Sequence, residues 1–161
     1  MIDLIVNFFK GFPSEVIVLI LSMIPVIELR GGIPAAYAMG LPLFETLPLA
    51  IIGNTIPVPF IILFIKQIFK FMKKHNILSN LIDKITQRAL DRSDKVESME
   101  FWGLMIIVAI PLPGTGAWTG ALIAALIDLD FKRAMLSIGL GVIVSAIIVS
   151  FLTYGVFNFF V

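Results

Sequence analysis

The sequence contains no cysteine and one histidine, His75, and only 14% of its residues are charged. Without cysteine the chain forms no disulfide, thiolate metal site or cysteine nucleophile. A lone histidine in a basic polar segment supplies neither a Ser/His/Asp triad nor a histidine-based metal site. The net charge of +1 gives no strong field for nucleic acid or an acidic partner. We therefore expect no enzyme, no metal and no cofactor.

Apolar residues dominate instead. They make up 59% of the chain, and the mean hydropathy is +1.04, whereas soluble domains are about half apolar and a quarter charged. This composition predicts an all-α integral membrane protein. Four apolar stretches stand out, at residues 14–40, 43–66, 101–127 and 131–157.

Two of these stretches, 43–66 and 131–157, have the roughly 20 apolar residues that a membrane-spanning helix needs. Within the later stretch, Ser137, Gly141 and Ser145 recur at every fourth position. Small residues at this spacing allow helices to approach closely inside a membrane. The sequence therefore predicts two spanning helices, the second carrying a close-packing seam.

The other two stretches are interrupted by proline and glycine, at residues 25–34 and 111–116. Each interruption leaves pieces of about 10–14 residues, which as helices are about 15–21 Å long, or half a membrane. Non-helical backbone at membrane depth is tolerated where protein or a cavity surrounds it. The pattern predicts a re-entrant helical hairpin or a discontinuous helix at each interruption.

The order of these features repeats along the chain. Pro25 and Pro111 are 86 positions apart, as are Ala35 and Ala121 and also Gly53 and Gly139, whereas Phe44 and Phe131 are 87 apart. We therefore predict one membrane domain, residues 1–161, made of two repeats at about 14–66 and 100–157. The linker between them is residues 67–99.

The segment around this linker, residues 66–100, holds eight of the twelve Lys and Arg residues, and Leu78, Leu81, Ile82, Ile85 and Ala89 mark one helical face. The pattern predicts an amphipathic helix on the cytoplasmic surface of the cell membrane, because cytoplasmic loops carry the excess of basic residues. Re-entrant hairpins would make the repeats inverted copies with both termini outside; four full spans would put both termini inside. Lys132 and Arg133 favour the hairpins, which keep both residues in the cytoplasm.

Glu28 and Arg30 are charged residues at the first interruption. A charge at membrane depth costs a few kcal/mol and faces a cavity or a partner. A carboxylate removed from water holds a proton more readily, so Glu28 is a candidate proton carrier. Arg30 can hold a phosphate or carboxylate by two parallel hydrogen bonds. Gly31 and Gly32, which follow, predict backbone N–H groups open to an anion at a helix start. The alternative is a structural ion pair.

The second interruption has no charge, but Pro111, Pro113, Gly114, Thr115 and Gly116 predict a turn whose N–H groups face an anion. The alternative is a plain Pro/Gly turn without a ligand. In an inverted repeat the two tips can meet near the midplane of the membrane. Trp118 lies one turn later, and Asn54 lies inside a predicted spanning helix. Both are candidate lining residues, and both have packing as the alternative role.

Residues 24–34, Ile-Pro-Val-Ile-Glu-Leu-Arg-Gly-Gly-Ile-Pro, and residues 109–120, Ala-Ile-Pro-Leu-Pro-Gly-Thr-Gly-Ala-Trp-Thr-Gly, together resemble the putative small multi-drug export protein family. That family is similar to the DedA superfamily of membrane proteins. The resemblance implies two inverted repeats of hairpin and span, lipid movement such as undecaprenyl phosphate recycling, and proton-dependent transport. Glu28 matches the acidic residue of the superfamily's first hairpin. The arginines of its second hairpin are missing from residues 114–120.

These patterns predict a transporter or flippase-like carrier of an anionic or amphipathic substrate, such as a lipid phosphate, coupled to protons through Glu28. The partners would be the lipid bilayer and this substrate, without nucleic acid. The small size, 161 residues, is compatible with a homodimer. Two alternatives stay open: a non-transporting scaffold with a structural Glu28/Arg30 pair, and a four-span proton/drug antiporter.

Overall fold

A computed structural model describes residues 11–75, 77–93, 100–112 and 114–155, and within these ranges the chain is helical with no β-strand. The prediction of an all-α protein is confirmed. The helices are α1 Ser14–Met23, α2 Glu28–Ala38, α3 Leu43–Thr55, α4 Pro57–Lys74, α5 Ser79–Ser93, α6 Glu100–Ala109, α7 Ala117–Leu126 and α8 Phe131–Ser150. A π-helical turn, Phe151–Gly155, follows α8.

Two segments are long and apolar enough to cross a membrane: Leu43–Lys74, with 32 residues, and Phe131–Gly155, with 25. They correspond to the two predicted spanning helices. The first contains α3 and α4, which meet at Ile56 because Pro57 lacks the N–H that a continuous helix would use there. Proline at the first position of α4 is compatible with a helix start. The basic residues 66–74 belong to α4, so this helix is longer than predicted.

The chain forms two compact units. The first comprises Met1–Asn54 with Ala146–Val161, and the second comprises Thr55–Ser145. In the described part of the first unit, α1 packs against α2, and α2 also contacts the π-helical turn. In the second unit, α7 packs against α4, α5 and α6. The predicted amphipathic helix is α5, and its Ile82 is buried while Leu78, just before its start, and Leu81 are exposed; residues 94–99 of the linker lie outside the described ranges.

The short helices α2 and α7 end in the same way. After α2, Gly40 has a φ of 78° and the N–H of Leu41 donates to Ala36 O at 3.0 Å. After α7, Asp128 has a φ of 56° and the N–H of Leu129 donates to Ala124 O at 3.0 Å. Both are Schellman-type ends, which stop a helix and redirect the chain. Here they lead into α3 and α8.

Glycines on the long helices α3 and α8 allow the short helices α1 and α6 to approach closely. A Cβ on Gly141 would lie 2.8 Å from Met105 O and 2.6 Å from Val108 Cβ. About one turn before Gly141, on the same face of α8, Ser137 donates a 2.6 Å hydrogen bond to Phe101 O. The predicted seam of α8 is thus in close contact with α6 at Ser137 and Gly141.

The first unit contains an equivalent contact. A Cβ on Gly53 would lie 2.5 Å from Leu19 O and 3.0 Å from Ser22 Cβ. Leu19 and Ser22 precede Met105 and Val108 by 86 positions, whereas Gly53 precedes Gly141 by 88. Gly139, which the sequence had matched to Gly53, has open space around it. The packing therefore changes the register of the repeat from 86 to 88 after the interruption.

Candidate functional site

Glu28 is the first residue of α2 and is 4% exposed. The interruption between α1 and α2 is shorter than expected and covers residues 24–27 only. The N–H of Glu28 donates to Ile24 O at 2.9 Å, which starts the helical turn directly after Pro25. Arg30, Gly31 and Pro34 therefore lie within α2. The charged residues occupy a helix N-terminus, where the positive end of the helix dipole favours the Glu28 carboxylate.

The backbone of Glu28 has a φ of 50°, in the left-handed region. Residues other than glycine rarely adopt this region, and it costs about 1–3 kcal/mol for a residue held there. Such strain concentrates at functional sites because the surrounding structure must enforce it. A long acidic side chain that is buried on a strained backbone makes Glu28 a candidate functional residue.

The Glu28 and Arg30 side chains are neighbours without forming a direct hydrogen bond. Arg30 Nη2 lies 4.0 Å from Glu28 Oε2, beyond hydrogen-bonding distance. The side chain of Arg30 is 20% exposed and that of Glu28 is 5% exposed. The two side chains therefore do not form the pair of parallel hydrogen bonds that a structural Glu–Arg ion pair would form. The guanidinium group of Arg30 is the more accessible of the two charged groups.

The two glycines of α2 serve close packing. The N–H of Gly31 donates to Ile27 O at 2.9 Å, so it is engaged in the helix. A Cβ on Gly31 would meet the side chain of Ile27, and one on Gly32 would meet Ser22 Oγ. Because Gly32 has no side chain, α1 can lie directly against α2 at a point one helical turn after Glu28.

The second interruption, between α6 and α7, is a turn whose polar groups bond to each other. Thr115 Oγ1 lies 2.7 Å from both Ile110 O and Leu112 O, and it accepts the N–H of Leu112 at 3.2 Å. The Thr119 hydroxyl donates to Gly114 O at 3.1 Å. Gly114 and Gly116 have φ values of 78° and 118°, which favour glycine.

Gly116 caps α7, and Trp118, half-buried, lies in the first turn of that helix. Pro111 lies in the turn, whereas Pro113 falls outside the described residues. The two interruptions belong to different units. The first brings Glu28, Arg30, Gly31 and Gly32 together, and the second brings together the described residues of the Pro/Gly turn.

Comparison with known proteins identifies the family. The sequence profile described as putative small multi-drug export protein matches residues 28–148. The chain belongs to this family. The match begins at Glu28 and includes the second interruption, and none of the curated proteins or solved structures compared with the chain matches it. Together with the two long apolar helices, the family indicates a membrane protein of the transport class.

Among the described residues of its first unit, this export-family chain buries three side-chain oxygens without a hydrogen-bond partner, and the third is Ser150 Oγ. Ser22 Oγ and Asn54 Oδ1 have no hydrogen-bond partner among the described residues, and Ser22 and Asn54 are 0% and 1% exposed. Leaving a buried polar group unsatisfied costs about 1–3 kcal/mol. Asn54 directly follows Gly53, which contacts Ser22, so the two residues lie at one level of the unit.

In the second unit of the export-family chain, the positions equivalent to Ser22 and Asn54 are occupied by residues whose only role is packing. Val108 is the equivalent of Ser22, and Val142 is the equivalent of Asn54; both valines are buried. The packing scheme therefore requires neither the hydroxyl nor the amide. Our sequence interpretation included Asn54 but missed Ser22, which a comparison of the two repeats at an offset of 86 would have revealed.

Proposed function

We propose that the protein is a transporter or flippase-like carrier that moves an anionic or amphipathic substrate across the cell membrane, with Glu28 as the proton-carrying carboxylate and Arg30 as the anion-binding group. The observation that carries the proposal is Glu28 itself: a buried acid on a left-handed backbone at a helix N-terminus, 4.0 Å from a more accessible arginine. The export family supports the transport class.

The charges of this pair favour an anionic substrate. Arg30 stays protonated and, being more exposed than Glu28, offers its donors to a phosphate or carboxylate. When Glu28 is ionised, it offsets the charge of Arg30 and competes with the substrate. When Glu28 takes up a proton, Arg30 is left with its full charge for the anion. Proton binding and anion binding would then favour each other, which is the linkage that a coupled carrier needs.

Polar side chains near the pair support a site in the first unit. Gly32, four residues after Glu28, contacts Ser22, and Ser22 contacts the residue before Asn54. Glu28 and Gly32 are neighbours on one face of α2. Ser22 thus contacts α2 one helical turn after Glu28, and the unsatisfied oxygens of Ser22 and Asn54 can hydrogen-bond a substrate or a water molecule. We propose carrier activity without enzymatic chemistry or a cofactor.

Two contacts support re-entrant hairpins over four full spans. Lys66, near the end of the long apolar run of α4, donates to Asp128 just after α7 at 2.6 Å. Tyr154, near the end of the second span, donates to Leu41 O just after α2 at 2.8 Å. In a four-span arrangement each pair would lie at opposite faces of a hydrocarbon core about 30 Å thick. A hairpin that returns to its own face allows both contacts.

The resulting arrangement has two inverted repeats, with the basic segment in the cytoplasm and both termini outside. The hairpin helices α1, α2, α6 and α7 have 10 or 11 residues. Helices of that length reach about 15–17 Å, the middle of the membrane. Glu28, at the tip of the first hairpin, would then lie near the midplane, where transporters of this type place their sites.

The test is movement of a fluorescent phosphatidylglycerol across proteoliposomes that contain the purified protein, with a pH gradient imposed. We expect Glu28→Gln to remove transport and its proton dependence, and Arg30→Ala to slow the anionic lipid more than a zwitterionic phosphatidylcholine analogue. The matched control is Glu45→Gln, which removes a carboxylate from the first turn of α3. Wild-type transport by Glu28→Gln would contradict the proton-carrier assignment.

A scaffold that merely uses Glu28 and Arg30 as a lock predicts another result. Removing one partner of a buried ion pair costs about 3–5 kcal/mol of stability. Thermal unfolding of Glu28→Gln and Arg30→Ala in detergent therefore separates the two functions. We expect both variants to unfold near the wild-type temperature, because the 4.0 Å contact between Arg30 Nη2 and Glu28 Oε2 is longer than a hydrogen bond and adds little to stability.

A further inference from the structure

A cleft of about 340 Å³ opens in the second unit between α4, α5 and α7. Three lysines of α4, Lys66, Lys70 and Lys73, are among the residues that line it. Phe69, Ile82 and Leu126 contribute apolar surface. The cleft lies outside the Glu28 site, and neither the family description nor the transport proposal assigns it a role.

The lysines share one face of α4. Their spacing of four and then three residues places them side by side on a helix, where like charges repel each other. Lys66 and Lys73 lie 2.6 Å from Asp128 and 2.5 Å from Asp83, respectively. The Asp128 and Asp83 side chains are 85% and 60% exposed. Exposed pairs of this kind are worth about 0–1 kcal/mol, so an anion in the cleft can compete for the lysines.

Lys70, between them, has no ion pair with any residue that the structure describes. An anion bridging Lys66, Lys70 and Lys73 would remove the repulsion along α4 and give Lys70 a partner. A phosphate suits this task because its oxygens accept charge-assisted hydrogen bonds from several ammonium groups. The three lysines thus favour a ligand of negative charge.

The position of the lysines along the first span fits phosphate at the membrane surface. From Leu43 to Lys66 a helix rises about 35 Å, slightly more than the roughly 30 Å hydrocarbon core. Lys66, Lys70 and Lys73 therefore emerge at the depth of lipid headgroups. The apolar surfaces of Phe69 and Leu126 adjoin them, and Leu78, just before α5, and Leu81, in its first turn, are half or more exposed. A free phosphate ion would leave this apolar surface uncovered, whereas an acyl chain would cover it.

We infer that this cleft binds an anionic phospholipid of the cytoplasmic leaflet, with the phosphate on Lys66, Lys70 and Lys73 and an acyl chain along Phe69 and Leu126. Basic pockets at the cytoplasmic ends of membrane helices suit such headgroups. The lipid would join α4 to α5 and fix the amphipathic helix at the membrane surface. This binding does not depend on transport at Glu28.

The experiment measures thermal unfolding of the full chain in a neutral detergent with phosphatidylglycerol, phosphatidylcholine or inorganic phosphate added. We expect phosphatidylglycerol to raise the unfolding temperature, and the two other additions to leave it unchanged. Lys70→Gln should weaken the lipid response about tenfold in apparent affinity, the effect of losing roughly 1.4 kcal/mol from one charge-assisted contact.

The matched control is Lys84→Gln, which removes an exposed lysine of α5 that does not line the cleft. It should respond to phosphatidylglycerol like the wild type. An equal response to inorganic phosphate would identify a free anion as the ligand and overturn the lipid assignment. An unchanged response of Lys70→Gln, or an equal loss in Lys84→Gln, would overturn the site.

Discussion

The ammonium group of Lys66 lies 2.6 Å from the carboxylate of Asp128. This contact joins the end of the first long apolar run to the turn that closes the second hairpin. Tyr154 and Leu41 form the corresponding contact in the other unit, with Tyr154 and Lys66 separated by 88 positions. The same offset relates Gly141 to Gly53, whereas Asp128 and Leu41 are 87 positions apart.

A crosslink tests this contact directly. The chain has no cysteine, so Lys66→Cys with Asp128→Cys needs no other substitution. We expect a short thiol crosslinker to join the two cysteines in membranes with high yield, because the native side chains touch. Lys66→Cys with Lys74→Cys is the control, since these exposed positions are about 12 Å apart along α4. Absence of crosslinking in the first pair would exclude the contact.

Accessibility from outside the cell tests the course of the second hairpin. A cysteine at Asp130 should be protected from an impermeant thiol reagent in intact cells, because the re-entrant arrangement returns this residue to the cytoplasm. Leu43→Cys, outside in both arrangements, and His75→Cys, cytoplasmic in both, calibrate the assay. Labelling at position 130 comparable to that at position 43 would instead indicate four full spans.

Two glycines of α8 should differ in their tolerance of a methyl group. Gly141→Ala places a Cβ 2.6 Å from Val108 Cβ and 2.8 Å from Met105 O, so we expect a loss of about 1–3 kcal/mol of stability from overpacking. Gly139→Ala meets nothing within 4 Å and should keep or slightly raise stability. Unfolding in detergent measures both. Equal effects would contradict the packing register derived from Gly53 and Gly141.

Replacing Ser22 and Asn54 by valine should separate stability from transport. Val108 and Val142 occupy the equivalent positions of the second repeat, so Ser22→Val and Asn54→Val are compatible with the packing. Removing two unsatisfied polar groups should keep the unfolding temperature or raise it. We expect the double variant to lose lipid transport, whereas Ser145→Ala, at a buried serine of the second unit, should retain it. Full transport by the double variant would remove both residues from the site.

Much of the helical architecture could be predicted from the sequence, because hydrophobic run length and Pro/Gly interruptions are local features. The two long apolar helices, the four short ones and the seam at Gly141 follow from these features. The limits of the first interruption could not be predicted, because Pro34 resembles Pro25 in sequence but lies inside α2. Whether a helix tolerates an internal proline depends on the groups that surround it, and these groups cannot be identified from the sequence.

The register of the repeat could also be determined only from the structure. The interruption between α6 and α7 is three residues longer than the one between α1 and α2, and α7 is one residue shorter than α2. The offset therefore moves from 86 to 88, and matches at a constant offset fail beyond this point. Among the site residues, Glu28 and Arg30 were detectable as charges in an apolar stretch. Ser22 was missed, since serine is common in membrane helices and the sequence marks it only through its match with the apolar Val108 at an offset of 86.

The pairing of each hairpin with the far end of the other repeat's long helix has a consequence for biosynthesis. The helix α7 packs on α4, which the ribosome has already made, so the second hairpin has its partner when it emerges. The partner of α2 is the turn that contains Tyr154, which is synthesised 113 residues after Leu41. The first hairpin therefore stays incompletely covered until this turn has been made. Removing Phe151–Gly155 would leave Tyr37 and the Leu41 carbonyl without that cover, and quality-control proteases would meet an unfinished first hairpin.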